Sequence, residues 1–298
     1  MSTFASSSTA APVEGFAPLL KDWRRRRRLS QLDLSLVSGV TQRHLSFLES
    51  GRARPSRAMV LQLSDALEVP LRERNDWLLA AGYAPVFHAR ELDDPQMAQV
   101  LLAVRRMLAN HEPFPAIALD RAWNIRLANR PFELLADLIG SDTWTRIGGP
   151  QRNLARLLFH PDGLRPFVAN WSSIAPLLWH RARREADAFG REELKAVLEE
   201  LGAVQDANAL GSADGPALVP VLPLILEKEG VRLSMFTVIA TFGTAQDVTT
   251  DEMRIERVSS RRTRRLRRCC AISPGHRGGR EYAAVRSAAS VLTESFLN

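Results

Sequence analysis

The sequence predicts an α+β chain in two parts: an all-α N-terminal domain of five helices over residues 16–81, then an α+β domain over about 96–256. Three observations carry this. Apolar residues recur at helical spacing from Phe16 to Ala81, punctuated by Gly39 and Gly51. Beyond residue 95, two β-like stretches precede a long helical region and two follow it. Charge divides along the same lines, with a surplus of five positive charges over 16–81, five negative over 82–256 and eight positive over 257–298, in a chain of formal charge +7.

At 298 residues, 45% apolar and 24% charged, the chain can bury sizeable cores. The longest apolar stretch, Leu218–Leu226, is broken by Pro220 and Pro223 and falls well short of membrane-spanning length. Residues 1–15 are small and polar with no basic start, which reads as a disordered leader and not as a secretory signal. Cys269 and Cys270 are adjacent, so neither a disulfide framework nor metal-ligand spacing is present. A soluble cytoplasmic protein without a membrane partner is expected.

The first helix places Phe16, Leu19, Leu20 and Trp23 on one face ahead of five consecutive arginines, Arg24–Arg28. Ser30 stands where an N-cap belongs, and Gln31–Ser38 reads as a short helix ended by Gly39, which tolerates the positive φ of a sharp turn. Val40 plugs the turn, Thr41 caps a helix over Gln42–Ser50 with Leu45 and Leu48 inward, and Gly51 stops it. Helices over Ser56–Leu67 and Leu71–Ala81 complete the domain.

The run SQLDLSLVSGVTQRHLSFLESGRARPS resembles the lambda-repressor-like, XRE-type helix-turn-helix family over about 65 residues. The resemblance implies that the second helix of the motif lies in the major groove of double-stranded DNA with its leading side chains at base edges. Those side chains are Thr41, Gln42, Arg43 and His44. Glutamine pairs bidentately with adenine and arginine with guanine. Phe47, one turn past Arg43, either touches a thymine methyl or packs in the core. Gln31, Ser50, Arg52, Arg54 and Arg57 lie at helix ends and in the following loop, where phosphates pass. Members of the Arg24–Arg28 run either add backbone contacts or form a solvated face.

A loop-like linker over 82–95 leads to a helix near Met97–Asn110. Ala116–Leu119 and Trp123–Ala128 then read as strands across Asp120-Arg121, and a helix begins near Arg130. Farther on, LPLILEKEGVRLSMFTVIATFG reads as two strands around a Glu229-Gly230 turn, giving a mixed sheet. The stretches AGYAP, LDDPQM, HEPFPAIALDRAWN, FHPDGLRPFVANW and TFGTAQDVT resemble the MmyB-like transcription regulators. That resemblance covers residues 16 to about 256. It implies a bacterial regulator of an actinobacterial kind, a PAS-like ligand-binding domain and a small apolar or fatty-acid-like effector.

The residues themselves say less. Trp123, Phe132, Trp171, Trp179 and Phe236 line an apolar pocket or simply fill the core. His160-Pro161-Asp162 reads as a structural turn, because no second His or Cys lies near it. No metal site, cofactor, phosphate loop, nucleophile elbow or catalytic residue is expected, and an enzyme is not. The function expected is sequence-specific, ligand-responsive regulation of transcription by a homodimer on paired half-sites. An effector-independent repressor of antitoxin type and a metabolite-handling enzyme with a helical module are the alternatives.

The tail breaks this pattern. The 24 residues from Arg257 to Arg280 hold nine arginines, no acid and both cysteines. Residues 257–298 read as an aberrant basic tail, either a reading-frame change inside a core strand or a nucleic-acid-binding arm. They are expected to be largely disordered, with a weak helix from Glu281 to Phe296.

Overall fold

The structure, a computed structural model, describes residues 15–140, 142–188, 191–204, 221, 223–228 and 231–261. The leader, the Glu229-Gly230 turn, both cysteines and the expected C-terminal helix lie outside the described residues. The chain forms two units, one running through Glu91 and including Gly243–Asp251, the other running from Leu92 to Phe242 and resuming at Glu252.

The first unit holds α1 (Phe16–Arg26), α2 (Gln31–Ser38), α3 (Gln42–Glu49), α4 (Arg57–Ala66) and α5 (Leu71–Ala80). Their limits follow from local chemistry. The Ser30 hydroxyl accepts from the Asp33 N–H while the Asp33 carboxylate accepts from the Ser30 N–H, a reciprocal cap that opens α2. Thr41 and Ser56 cap α3 and α4 in the same sense, each contributing about 1 kcal/mol. Gly39 ends α2 at φ 70° and Gly51 follows α3 at φ 73°, a region costly for residues with a Cβ. Leu20, Leu34, Leu45, Leu48, Val60, Leu63 and Leu78 are fully enclosed. Much of the expected linker is loop, but it is tied down: Asn75 accepts from Val86 and Phe87 and donates to the Phe87 carbonyl, and the Tyr83 hydroxyl donates to the Pro55 carbonyl.

In the second unit α6 (Ala98–Ala109) precedes β1 (Ala116–Leu119) and β2 (Ile125–Ala128). Five helices follow: α7 (Arg130–Ile139), α8 (Thr143–Ile147), α9 (Leu154–Phe159), α10 (Trp171–Ala188) and α11 (Glu192–Val204). Then come β3 (Leu224–Lys228), β4 (Val231–Thr241) and β5 (Arg254–Arg261), with the short helix α12 (Val248–Glu252) before β5. The sheet order is β2-β1-β5-β4-β3, and every pairing is antiparallel. This is the PAS-like arrangement, with helices inserted between β2 and β3.

Two expectations are corrected. The sheet is not mixed: no pair of neighbouring strands runs parallel, so no crossover helix is needed between them. The domain also does not end at 256. That position falls inside β5, whose pairing with β4 continues to Arg261 opposite Ser234. Alternation persists through the change of composition, since Val258 still packs against the main core while Arg257 and Ser259 take the opposite face.

The main core lies on one side of the sheet, where Ile117, Leu119, Leu226, Leu233 and Met235 meet α7, α9, α10 and α11. Ala116, Ala118 and Ile255 face the other way, onto Val104 and Leu108 of α6. Both edges are blocked. Val168 bridges to Leu226 and the Ala169 N–H donates to Ile225, while the Ile125 N–H donates to the Arg152 carbonyl.

Asn129 staples three of these parts together. Its Oδ1 accepts from the N–H groups of Ala116 (2.9 Å) and Phe132 (3.2 Å), and its Nδ2 donates to the carbonyls of Phe114 (2.8 Å) and Leu108 (3.2 Å). It is buried, so truncation strands the Ala116 N–H and the Phe114 carbonyl away from water, while the Phe132 N–H keeps its bond to the Asn129 carbonyl and the Leu108 carbonyl keeps the one from the His111 N–H. Asn129→Ala is expected to destabilise the sheet unit by about 3 kcal/mol, the sum of a lost cap and unpaired buried groups. Urea unfolding of the full chain measures it, and a loss below about 1 kcal/mol would show that water replaces the staple.

Candidate nucleic-acid interface and ligand cavity

Helix α3 is oriented from within. Leu45 and Leu48 are fully buried; at 100° per residue Arg43 falls opposite them and Ser46 and Gln42 fall round one flank, and all three are exposed. Thr41 is exposed too, its hydroxyl accepting from the His44 N–H (3.3 Å). His44 is half-buried on the flank. Phe47 is also half-buried, with the Arg43 guanidinium over its ring at 5.6 Å. Ser46 was not foreseen. The burial of Leu45 and Leu48 leaves it on the open flank.

A buried ion pair sets how α3 presents this face. Arg24 of α1 donates to both carboxylate oxygens of Glu49, Nε to Oε1 at 2.6 Å and Nη2 to Oε2 at 2.9 Å, and its Nη1 donates to the Leu29 carbonyl. Gln31 adds a bond from α2 to Glu49 Oε2 (2.9 Å). One carboxylate thus ties α1, α2 and α3 together. Burial by itself would push the Glu49 carboxyl up, but the bonds from Arg24 and Gln31 and the charges of Arg24 and Lys21 outweigh it, holding the carboxyl below its usual range.

The arginine run therefore divides by role. Arg24 is internal, and Arg27 donates to the carbonyls of Leu67 (2.8 Å) and Glu68 (2.8 Å). Arg26 pairs with Asp22 on the surface. Of the residues expected at phosphates, Ser50, Arg52, Arg54 and Arg57 are exposed, whereas Gln31 is half-buried and its amide is engaged with Glu49.

In the sheet unit a small apolar hollow of about 20 Å³ lies between α7, β3 and β4, walled by Leu135, Ile139, Leu164, Phe167, Leu226, Lys228 and Leu233. The Lys228 ammonium stands 5.0 Å over the Phe167 ring and 3.3 Å from the Ile139 carbonyl, placing one positive charge in an otherwise apolar wall. None of the five aromatics expected to line a pocket belongs to this wall. Trp123 and Phe132 are buried in the core, and Trp171 and Trp179 pack their edges on Phe159 at 6.0 and 5.1 Å. Trp179 does border a second hollow of about 160 Å³, but Arg183, Asp187, Lys195 and Glu199 give that one charged walls. Phe236 lies on the other side of the sheet from its neighbour Met235, apart from the other four.

Trp123 is held by charged groups. Its ring sits between the guanidinium groups of Arg254 (4.6 Å) and Arg181 (5.3 Å), and its indole N–H donates to Glu185 (3.0 Å). Burial would raise the Glu185 carboxyl, yet Arg254 and Arg181 keep it below its ordinary range. His160 forms the expected turn, its Nδ1 accepting from the Asp162 N–H (3.1 Å). Gly163 completes that turn, since a Cβ there would come within 2.3 Å of the Leu157 carbonyl oxygen.

The family model for the MmyB-like transcription regulator ligand binding domain matches residues 100–268, more than half of the chain. The chain belongs to the MmyB-like transcription regulators. A helix-turn-helix model also matches its residues 20–74, so this MmyB-like chain is a DNA-binding transcription regulator with a ligand-binding domain. A comparison with curated proteins returns no match. The family match reaches beyond Arg261, in keeping with β5 as part of the ligand-binding domain. Among the described residues of the MmyB-like chain, no helix is long and apolar enough to cross a membrane, and no cluster of three His, Cys, Asp or Glu side chains is placed to hold a metal ion.

The depressed Glu49 carboxyl carries a stability consequence. A group whose folded pKa lies below its unfolded value, about 4.3, stabilises fully above that value and stops doing so as pH falls through the folded one. Glu49→Gln leaves the part-buried Arg24 without its counter-charge and is expected to cost the helical unit about 2 kcal/mol at pH 6, less than a fully buried pair would. The deficit relative to the parent should shrink as pH drops below about 4. Melting curves of the two proteins from pH 6 to pH 2.5 test this, and a deficit independent of pH would show that charge is not its source.

Proposed function

We propose that this regulator reads a specific duplex sequence with α3 and binds a small apolar ligand with an anionic head, a fatty acid or a molecule like it, in the sheet unit. The observation that carries the DNA part is the open face of α3, where Gln42 and Arg43 stand clear of the core on a helix fixed from behind by the Glu49 network. Thr41, Ser46 and Phe47 complete the reading surface, and Ser50, Arg52, Arg54 and Arg57 supply phosphate contacts. The reading includes a homodimer on two half-sites, because one small module buries a modest DNA interface. The apolar ligand is supported by the apolar lining of the hollow beneath β3 and β4 and by the placement of Lys228; at about 20 Å³ the hollow must widen to admit such a ligand.

If Gln42 and Arg43 each make a bidentate base contact, Gln42→Ala and Arg43→Ala cost about 1–3 kcal/mol on the selected site and almost nothing on scrambled DNA. Arg54→Ala weakens both duplexes alike and lowers the salt slope by roughly one. Selection from random duplexes, followed by titrations of the three variants, is the measurement. Equal losses on both duplexes would mean that neither Gln42 nor Arg43 reads sequence.

For the ligand, dodecanoate at about 100 times its dissociation constant adds about 2.7 kcal/mol of stability, visible as a raised melting temperature. Lys228→Met is expected to weaken dodecanoate about tenfold, the scale of one charge-assisted bond, while leaving dodecanol unaffected. Equal weakening of acid and alcohol would remove the carboxylate role. No binding of either would favour a regulator without an effector.

A further inference from the structure

The connection between β4 and β5 does more than join two strands. Its residues Gly243–Asp251 belong to the helical unit, and the chain re-enters the sheet unit at Glu252. The attachment on the helical side is dense. Val248 is 1% exposed and its N–H donates to the His88 carbonyl (2.8 Å). Asp247 pairs with Arg90 (2.8 Å), and the Thr249 hydroxyl donates to the Arg90 carbonyl (2.7 Å).

Asp251 carries the argument. Its carboxylate accepts the N–H of Leu71 at 3.0 Å, and Leu71 is the first residue of α5. That helix follows Pro70, which has no side-chain acceptor, so its first turn lacks a local cap. Asp251 supplies the missing acceptor and a negative charge at the positive end of the helix. The first turn matters to the unit because α5 buries Leu71, Trp77 and Leu78, and Trp77 packs its edge on Phe16 of α1 at 5.5 Å. Helix α1 in turn holds α3 through Arg24 and Glu49.

The next residue is gripped from the other side. Glu252 pairs with Arg121, in the turn between β1 and β2, at 3.0 Å. Two residues on, Arg254 lies against Trp123 and bonds Glu185. Adjacent carboxylates on α12 are therefore held by different units, and the hand-over occurs across one peptide bond.

We propose that α12 is the coupling strap of this regulator: a change in the sheet unit moves β5 and Glu252, and Asp251 passes it to the first turn of α5. The route to the strap is covalent, since β4, whose Leu233 walls the cavity, leads into it and β5 leads out. The sense in which a ligand uses the strap rests on the effector reading above. The strap itself is tested without a ligand.

Amide hydrogen exchange of the full-length protein is the experiment, read at residues 71–74. Asp251→Ala speeds exchange there about fivefold, the usual effect of a lost cap, and Asp251→Asn, which keeps an acceptor oxygen, restores part of the protection. The deciding variant is Arg121→Ala, in the sheet unit, which is expected to speed exchange at 71–74 by about twofold or more. Arg152→Ala, which deletes the Arg152–Glu133 pair of the same unit, leaves those amides unchanged. Wild-type rates at 71–74 in Arg121→Ala overturn the strap, and so does an equal response to Arg152→Ala. Dodecanoate is added in a second arm. Binding that changes exchange at 71–74 in the parent but not in Asp251→Ala supports the strap, and binding without such a change in the parent overturns it. A failure of dodecanoate to bind counts against the effector reading alone, and the Arg121→Ala result then decides.

Discussion

Strand β5 pairs with β1 on one side and β4 on the other, so the sheet is complete only when a segment from the end of the described chain arrives at its centre. The other elements of that unit take their places from it. Ile255 closes the small core under α6, Val258 closes the large one, and Arg254 and Glu256 carry the charges that Glu185 and Arg181 answer from α10. His111 bonds the Val258 carbonyl through Nε2 (2.8 Å), and the Val258 N–H donates to the Pro115 carbonyl, which fixes the entry into β1. Pairing β5 with β1, more than a hundred residues earlier, carries a large loop-closure cost, which burial on both faces must offset.

Within the helical unit the same logic works through charge. A glutamate near the end of α3 would ordinarily sit in water. Here it accepts three hydrogen bonds from α1 and α2, and the side of the helix bearing Leu45 and Leu48 faces inward as a result. A buried, paired carboxylate specifies a geometry more than it adds net stability, because desolvation consumes much of the Coulomb gain. What it secures is the direction in which Gln42, Arg43 and Ser46 point. Arginines adjacent in sequence accordingly have unlike tasks, Arg24 inside the fold and Arg26 and Arg27 on its surface contacts.

The cavity of the sheet unit follows a different rule from the one aromatic content suggests. Large rings make efficient core, and Trp123, Phe132 and Trp179 are used that way. Space remains where aliphatic side chains of α7, β3 and β4 meet a single phenylalanine, Phe167, and where Lys228 reaches across it. The position of Phe236 is decided by a period of two: Leu233 and Met235 face the main core, so Phe236 faces away from it.

The helical unit was legible residue by residue because its signals are local. Ser30, Gly39, Thr41, Gly51 and Ser56 act on the backbone within a few positions, and the limits of α2 and α3 follow from them whatever the rest of the chain does. The sequence also determined β1 and β2 and the class of the second domain, since alternation and turn chemistry are short-range too. Tertiary structure alone decided the rest. A strand rich in Arg and Ser became the centre of an antiparallel sheet because β1, far away in sequence, and the preceding β4 left a slot that β5 fills. Gln31 turned inward because Glu49 was there to accept it. The residues between β4 and β5 joined the helical unit because His88, Arg90 and Leu71 offer partners to Val248, Asp247, Thr249 and Asp251. Contacts between residues so far apart depend on where each element ends in space, and local sequence does not encode that.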